Sequence, residues 1–208
     1  MPLPFYHICL AGALAEKHSS VQESGDFFLG NIAPDAVLSR PACTLSEKFR
    51  THLREKRERW RNDVMSSFEK SDKNDFFTLG YHMHLVTDIF FRDNWEAAFL
   101  HAKIPENMWD TLAYRAASLG IRHILETGDV CTQSYEAWIR QTREYQNRIF
   151  PFGMTGTDME AEIDFAANIS AYTGIEMEKE CTEFADFMEI YRLAIPYLDG
   201  IFGVYLET

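Results

Sequence analysis

The sequence has few of the residues that mark metal-ribbon, disulfide-rich or low-complexity proteins. Its four cysteines are far apart in 208 residues and form no C-x-x-C pair, which excludes a zinc ribbon and a disulfide scaffold. We therefore expect free, buried thiols. Glycine and proline number only 11 and 7, and no short word repeats, so collagen-like and disordered chains are excluded as well.

Positive charge is also in short supply. Lys and Arg total 20 against 32 Asp and Glu, which gives a formal net charge of −12. Such a surface repels nucleic acid and anionic membrane leaflets, and we expect neither as a partner. The charge is unevenly spread, because seven basic residues lie between Lys48 and Arg61, whereas ten acids and one base lie between Asp158 and Glu189.

Long apolar runs are missing too. A membrane-spanning helix needs roughly 18 apolar residues in succession, and the most apolar stretch, around Leu85 to Phe91, is interrupted by Thr87 and Asp88. The first residues lack the basic and apolar regions of a signal peptide. We expect a soluble, cytoplasmic protein.

Apolar residues at helical spacing make up most of what is present. Strand-like alternation is nearly absent, so we predict an all-α, multi-helix bundle that forms one domain over residues 1–208. A short helical turn is expected at 27–30, and the segment 76–100 is apolar nearly all round, which is typical of a central buried helix. The other predicted helices cover about residues 7–17, 46–70, 106–126, 133–148, 158–172 and 176–198.

The segment Gly80 to Asp88 carries the sharpest chemical signal. His84 and Asp88 are four residues apart and share one helix face, as two ligands of one divalent cation would. A buried hydrogen bond between these two side chains is the alternative. Gly80 is expected to keep that face open, and His82 points to the opposite side and is expected to be structural.

Three residues elsewhere could complete a metal site. His7 lies in the first predicted helix, Asp35 follows Pro34 at a rigid corner, and His52 lies in the charged helix. Each has a separate structural explanation, such as helix capping for Asp35. Helical bundles nevertheless build metal sites from side chains that project inward from several helices.

The order of these residues resembles the zinc-dependent phospholipase C family, in particular its small bacterial members. The similarity covers about the first 95 residues and lies mainly in "GNIAPD", which ends at Asp35, and "LGYHMHLVTD", which ends at Asp88. It implies a helical fold in which Asp35, His52, His84 and Asp88 form the principal metal site. It further implies that Asp88 bridges to a second metal and that His7 binds a further ion.

The chain departs from the family pattern at two places. Asn94 stands where the family has a histidine six residues after the bridging aspartate, and a later His-x-x-x-Glu pair is missing, because Glu126 follows His123 at a spacing of three. We therefore expect between one and three divalent ions. Histidine and aspartate ligands favour zinc, and iron, manganese or nickel are acceptable to the same set.

The resemblance implies a hydrolase that attacks a phosphoester with a metal-activated water. Its substrate would be a small phosphodiester or phosphomonoester, or a phospholipid-derived molecule. Asp35 is the candidate catalytic residue, which would orient or deprotonate the water. The alternative is a non-catalytic metal-binding or interaction module that retains the family core. A single-strand nuclease is a third hypothesis, and the net charge argues against it.

Basic side chains near the metal segment could bind an anionic substrate. Lys56 and Arg59 share a predicted helix face with His52, and Arg92 continues the row of His84 and Asp88 by one turn. We predict a substrate-binding role for Arg92, Lys56 and Arg59. The alternative is a solvated helix face in which these residues pair with nearby carboxylates.

Overall fold

The computed structural model describes residues 3–145, 148–168 and 183–207, and every regular element within these ranges is helical. The predicted all-α fold is confirmed. Nine α-helices are described, joined by short 3-10 segments: α1 (Pro4–Ala15), α2 (Gly25–Gly30), α3 (Leu45–Thr51), α4 (Trp60–Lys70), α5 (Phe76–His101), α6 (Trp109–Thr127), α7 (Thr132–Thr142), α8 (Gly156–Ala167) and α9 (Glu183–Leu206).

Polar side chains fix where several helices begin. The hydroxyl of Ser24 caps α2 by accepting a hydrogen bond from a backbone N–H of its first turn. Thr44 with Glu47, and Thr155 with Asp158, form reciprocal capping boxes at the starts of α3 and α8. Each pair satisfies backbone donors that a helix end leaves without partners.

Helix α5 is the central element of the core. Fifteen of its 26 residues are buried, and it packs against α2, α4 and α9. This confirms the prediction of a central buried helix. Its buried residues include His84 and Asp88, so two of the predicted metal ligands lie in the core.

Helices α2 and α5 touch through their backbones. A Cβ atom on Gly80 would lie 2.1 Å from the carbonyl oxygen of Phe27, and one on Gly30 would lie 2.2 Å from that of Phe77. The expectation that Gly80 leaves an open helix face is therefore wrong, because α2 fills that space. The two glycines instead allow a close helix crossing.

The predicted helix over 46–70 is broken into two. Helix α3 ends at Thr51 and α4 begins at Trp60, with a 3-10 turn between them. Leu53 has a φ of 52°, a left-handed conformation that does not continue an α-helix. The indole N–H of Trp60 donates to the carbonyl of His52 at 2.7 Å and holds the break in place.

The other helix ends differ from the predicted ones by several residues. Helix α1 begins at Pro4, and α7 ends at Thr142 rather than near residue 148. The predicted end at 172 and start at 176 lie outside the described residues. No helix in the described ranges combines the length and hydropathy that crossing a membrane requires.

The cysteines differ in burial. Cys9 is buried, Cys43 is half-buried and Cys131 is exposed, and all three are free thiols. The expectation of buried thiols is therefore confirmed for Cys9 alone. Cys181 lies outside the described residues.

Candidate metal centre

Five predicted ligands meet in the core, and we call them the histidine–aspartate cluster: His7, Asp35, His52, His84 and Asp88. All five are at most 5% exposed. They come from four separate segments of the chain, namely α1, the 3-10 segment after α2, the end of α3, and α5. The structure therefore brings together the five residues that the sequence singled out as metal ligands.

His7 enters the cluster from α1. Its Nε2 atom lies 3.6 Å from Oδ1 of Asp88, and its ring stacks on that of His84 with 3.8 Å between the centroids. Neither ring nitrogen of His7 has a hydrogen-bond partner among the described residues. Both nitrogens are therefore available to a ligand.

Asp35 is held by the 3-10 segment Ala33–Ser39, in which Pro34 restricts the backbone. The hydroxyl of Thr51 donates to the carbonyl of Pro34 at 2.8 Å and ties this segment to the end of α3. As a result, Oδ1 of Asp35 lies 3.2 Å from Nε2 of His52. The rigid corner predicted around Asp35 is present.

His52 caps the C-terminal end of α3, and its ring is oriented by that helix. Its Nδ1–H donates to the carbonyl of Lys48 at 2.8 Å, which points Nε2 towards the carboxylates. Nε2 lies 3.5 Å from Oδ2 of Asp88. A backbone carbonyl behind a ligating histidine is the usual way proteins fix the tautomer.

His84 is oriented in the same manner by the crossing of α2 and α5. Its Nδ1–H donates to the carbonyl of Asn31 at 2.7 Å, and Asn31 follows Gly30 directly. Nε2 of His84 lies 3.8 Å from Oδ2 of Asp35 and 3.8 Å from Oδ2 of Asp88. The close crossing of α2 and α5 at Gly30 and Gly80 thus helps to orient the ring of His84.

The spacing of the donor atoms fits a shared cation better than direct hydrogen bonds. Donors about 2.0–2.1 Å from a tetrahedral zinc ion lie about 3.3 Å apart, and the N···O separations in the cluster run from 3.2 to 3.8 Å. Two groups of three have ligand atoms within 4.8 Å of one another: His7, Asp35 and His84, and His52, His84 and Asp88. Buried His and Asp groups here could therefore hold a metal ion.

The ionisable atoms of the cluster lack other partners. Both oxygens of Asp88, Oδ1 of Asp35, and Nε2 of His52 and His84 are buried without a hydrogen-bond partner in the described part of the chain. Burying a carboxylate without a partner costs several kcal/mol or shifts its pKa. The alternative interpretation, a direct hydrogen bond between His84 and Asp88, does not hold, because Nε2 of His84 and Oδ2 of Asp88 are 3.8 Å apart.

The electrostatic environment of the cluster favours the protonation states that bind metals, namely ionised aspartates and a neutral His84. Burial acts to raise the pKa of Asp88, but His7, His84 and His52 outweigh it and lower that pKa to about 2. The pKa of Asp35 is held below its usual range by His52 and His84 against the effect of burial. Burial and then His7 lower the pKa of His84 to about 3, which keeps it neutral.

His52 is the exception. Burial acts to lower its pKa, but Asp35 and then Asp88 raise it above the usual value. A metal ion bound here would have to displace the proton from this histidine, so acid would weaken its binding.

The three predicted substrate-binding residues differ in exposure and in their partners. Arg92 is 15% exposed at its side chain and donates to Glu96 at 2.7 Å. Lys56 is exposed in the break after α3, and Arg59 pairs with Asp63 on the surface. Lys56 and Arg59 share no helix face with His52, because the predicted long helix is absent.

Two other predicted positions lie outside the cluster. His82 contacts the hydroxyl of Ser67 and the carbonyl of Thr78, as expected of a structural histidine. Asn94 donates to the carbonyl of Phe90 in its own helix and contributes nothing to the cluster.

Glu162 on α8 is a buried carboxylic acid that the sequence prediction missed. It is 2% exposed, its Oε1 has no hydrogen-bond partner among the described residues, and Ser39 reaches its Oε2 at 3.4 Å. Burial, followed by the negative charge of Asp35, raises its pKa to about 8. The signal was its spacing, since Glu162 falls on the helix face of Met159 and Ile163.

Arg54 was missed as well, because it lies within the basic run. It is half-buried two residues after His52. Burial, then the charges of Arg92 and Arg57, lower its pKa, whereas Asp88 acts in the opposite direction. Its guanidinium group therefore lies within electrostatic reach of the cluster.

Comparison with known proteins gives no relative for this chain. No protein-family model matches it, and neither a curated protein nor a solved structure shows significant similarity. The resemblance to the zinc-dependent phospholipase C family therefore stays a prediction, and the metal centre rests on its geometry.

Proposed function

We propose that this chain is a metal-dependent hydrolase of phosphoesters, with the histidine–aspartate cluster as its metal centre. One observation carries the proposal: three imidazoles and two carboxylates converge in the core with their donor atoms facing one another and otherwise unpartnered. Two buried carboxylates without hydrogen bonds are strongly unfavourable. A divalent cation would offset that cost.

The donor set is compatible with zinc. Mixed nitrogen and carboxylate ligation suits zinc, and iron, manganese or nickel can also be accepted. His84 belongs to both groups of three donors, so one ion or a pair of ions can be held. A divalent ion supplies Lewis acidity, which lowers the pKa of water towards about 7 and polarises a phosphoryl oxygen.

The residues around the centre have distinct roles in this proposal. Asp35 has the most exposed side chain of the two carboxylates, at 7%, and stays ionised because its pKa is low. It therefore orients the water by accepting a hydrogen bond from it, and does not keep a proton taken from the water. Arg54 and Arg92 place positive charge beside the cluster, which favours an anionic substrate.

Two histidines on the same helix provide a matched test. His84→Gln should lose at least about 90% of the bound metal. Mutation of a residue that only supports a metal ligand already costs about tenfold in affinity, and His84 would be a ligand itself. It should also lose hydrolysis of bis(4-nitrophenyl) phosphate and 4-nitrophenyl phosphate. His82→Gln, two residues away and outside the cluster, should retain both. Elemental analysis and colour release measure the two effects.

The proposal fails at one of two points. A wild-type protein purified with zinc in the medium and holding no stoichiometric metal would contradict the metal centre. Full metal content in His84→Gln would contradict the ligand assignment.

The burial of the cluster favours a second candidate function, a non-catalytic metal-binding module. Structural metal sites are closed, whereas catalytic sites keep an open position, and here all five residues are at most 5% exposed. In that case, chelation would lower the thermal midpoint while the zinc-loaded protein hydrolyses neither phosphomonoester nor phosphodiester. Turnover that requires both zinc and Asp35 would exclude this candidate.

A further inference from the structure

Two guanidinium groups lie next to the segments that supply the metal ligands. Arg54 follows His52 by two residues, and Arg92 follows Asp88 by one turn of α5. Both lie over the same indole, with the guanidinium carbon of Arg54 4.8 Å and that of Arg92 5.5 Å from the ring centre of Trp60. A cation–π contact of this kind holds a guanidinium group in place and leaves its N–H groups free to donate hydrogen bonds.

Of the three arginines at this place, two form ion pairs and Arg54 does not, within the part of the chain that the structure describes. Oε1 of Glu96 accepts from Arg57 at 2.9 Å and from Arg92 at 2.7 Å, so these two cations share one carboxylate. Arg54 has no ion pair and no side-chain hydrogen bond with any residue in the described ranges. Its half-buried charge, repelled by the other two, is therefore available to an anion.

The backbone before Arg54 is held in an unfavourable conformation. Leu53 has a φ of 52°, which is rare for a residue with a bulky side chain. The backbone N–H of Arg54 donates to the carbonyl of Phe49 at 2.7 Å, and Trp60 holds the carbonyl of His52. Strain that is maintained by its surroundings tends to occur at functional positions.

A cavity of about 290 Å³ opens between these cations and three aromatic rings. The rings of Trp95 and Phe99 are stacked with centroids 4.8 Å apart, and Trp109 lies 5.9 Å from Phe99. Two further lining carboxylates, Glu106 and Asp110, are exposed to solvent. We call this cavity the arginine pocket, and the residues that define it are Arg54, Arg57, Arg92, Trp95, Phe99 and Trp109.

We propose that the arginine pocket binds an aromatic phosphoester, with the phosphoryl group on Arg54 and the aromatic ring against Trp95 and Trp109. This inference rests on the proposed hydrolase function and names its substrate class. Ligand pockets usually occupy roughly 300–1,000 Å³, so this cavity suits one ring system rather than two acyl chains. Arginine donates in a fork that fits phosphoryl oxygens, and aromatic walls favour a flat substituent.

Calorimetric titration with phenyl phosphate and with inorganic phosphate tests the pocket. Arg54→Gln should weaken both ligands at least about tenfold, because it removes a charge-assisted contact. Trp109→Leu should weaken phenyl phosphate about tenfold and leave inorganic phosphate nearly unchanged, because it removes only the ring contact. Arg143→Gln is the matched control, since Arg143 pairs with Glu160 and Asp164 on another face, and it should change neither affinity.

Arg54→Lys guards against a folding artefact, because it keeps the charge and the alkyl chain. It should bind inorganic phosphate more tightly than Arg54→Gln does. A lysine variant no better than the glutamine variant would overturn the proposal. Wild-type affinity in Arg54→Gln, or equal loss of both ligands in Trp109→Leu, would also overturn it.

Measurements on zinc-free and zinc-loaded protein separate this inference from the proposed function. Ligand binding that depends on Arg54 and Trp109, together with no turnover by the zinc-loaded protein, contradicts the hydrolase and supports the pocket. Turnover whose KM for 4-nitrophenyl phosphate is the same in wild type and Arg54→Gln contradicts the pocket and leaves the hydrolase in place.

Discussion

Two groups of charged side chains join distant parts of this chain, and they differ in how their hydrogen bonds are satisfied. The guanidinium group of Arg40 donates to both oxygens of Asp158 at 2.9 and 2.7 Å, to Glu47 at 3.0 Å and to the carbonyl of Gly153 at 2.8 Å. In the histidine–aspartate cluster, both oxygens of Asp88 are buried without any such partner among the described residues.

The difference separates a structural network from a binding site. The Arg40 network supplies its own partners, and contact with Arg40 is the main reason that the pKa of Asp158 falls to about 2. In the cluster, the ligand atoms face one another and lack a hydrogen-bond partner among the residues that the structure describes. Stability should therefore depend on metal concentration in the cluster and be independent of it in the network.

The largest expected effect is on the response to zinc. Zinc at about 1,000 times its Kd would add about 4 kcal/mol to the free energy of unfolding, which corresponds to roughly 10 °C in Tm for a chain of this size. Asp88→Asn should lose most of that increase, because it removes a ligand carboxylate. Thermal denaturation with and without zinc measures the effect.

The same variant has a separate expectation without metal. The histidines hold the pKa of Asp88 at about 2, so the ionised carboxylate stabilises the fold near neutral pH, and a neutral amide in its place should lower the stability of the chelator-treated protein. An equal zinc response in Asp88→Asn and wild type would remove the distinction drawn between the cluster and the network.

A smaller effect, of about 2 kcal/mol, is expected for Arg40→Ala. The substitution removes charge-assisted hydrogen bonds that join the start of α8 to the segment after α2. Urea denaturation should show the same loss with and without zinc. Arg143→Ala, which breaks ion pairs that are more exposed, should cost less than about 1 kcal/mol. A loss at Arg40 that appears only with zinc would show that the two groups are coupled.

The last expected effect, the smallest when counted per pH unit, is on the pH dependence of the stability of metal-free protein. The pKa of Glu162 is about 8 in the fold against 4.5 in the unfolded chain, so the folded state retains a proton that the unfolded state releases. The free energy of unfolding should therefore fall between about pH 4.5 and pH 8, by at most about 1.4 kcal/mol per pH unit. Glu162→Gln should flatten this slope. An unchanged slope in Glu162→Gln would assign the pH dependence to other groups.

The residues of the cluster could be named from the sequence partly because their chemistry is visible in the residue types and partly because their order resembles the zinc-dependent phospholipase C family. His84 and Asp88 share a helix face by spacing alone, and an aspartate after Pro34 lies at a stiff turn. The all-α fold follows from the period of the apolar residues, which is a local property. These features need no knowledge of which helices pack together.

The remaining features depend on contacts between distant segments. The break after His52 has no glycine or proline to mark it, because Leu53 adopts the left-handed conformation under tertiary constraints. Gly80 was expected to leave a helix face open, and only the packing of α2 shows that the space is filled. Glu162 comes from a helix more than seventy residues beyond Asp88, and its approach to Asp35 is a product of the fold.

The close backbone crossing of α2 and α5, made at Gly30 and Gly80, also bears on which ions the proposed metal centre would select. Because the two helices already touch, the carbonyl of Asn31 and the ring of His84 cannot move further together, and moving apart would break their 2.7 Å hydrogen bond. The reach of this nitrogen ligand is thus set by main-chain packing. Calcium, which needs ligand distances of about 2.3–2.6 Å and prefers oxygen, would be discriminated against by size as well as by chemistry. Ion selectivity here would be a property of the helix crossing.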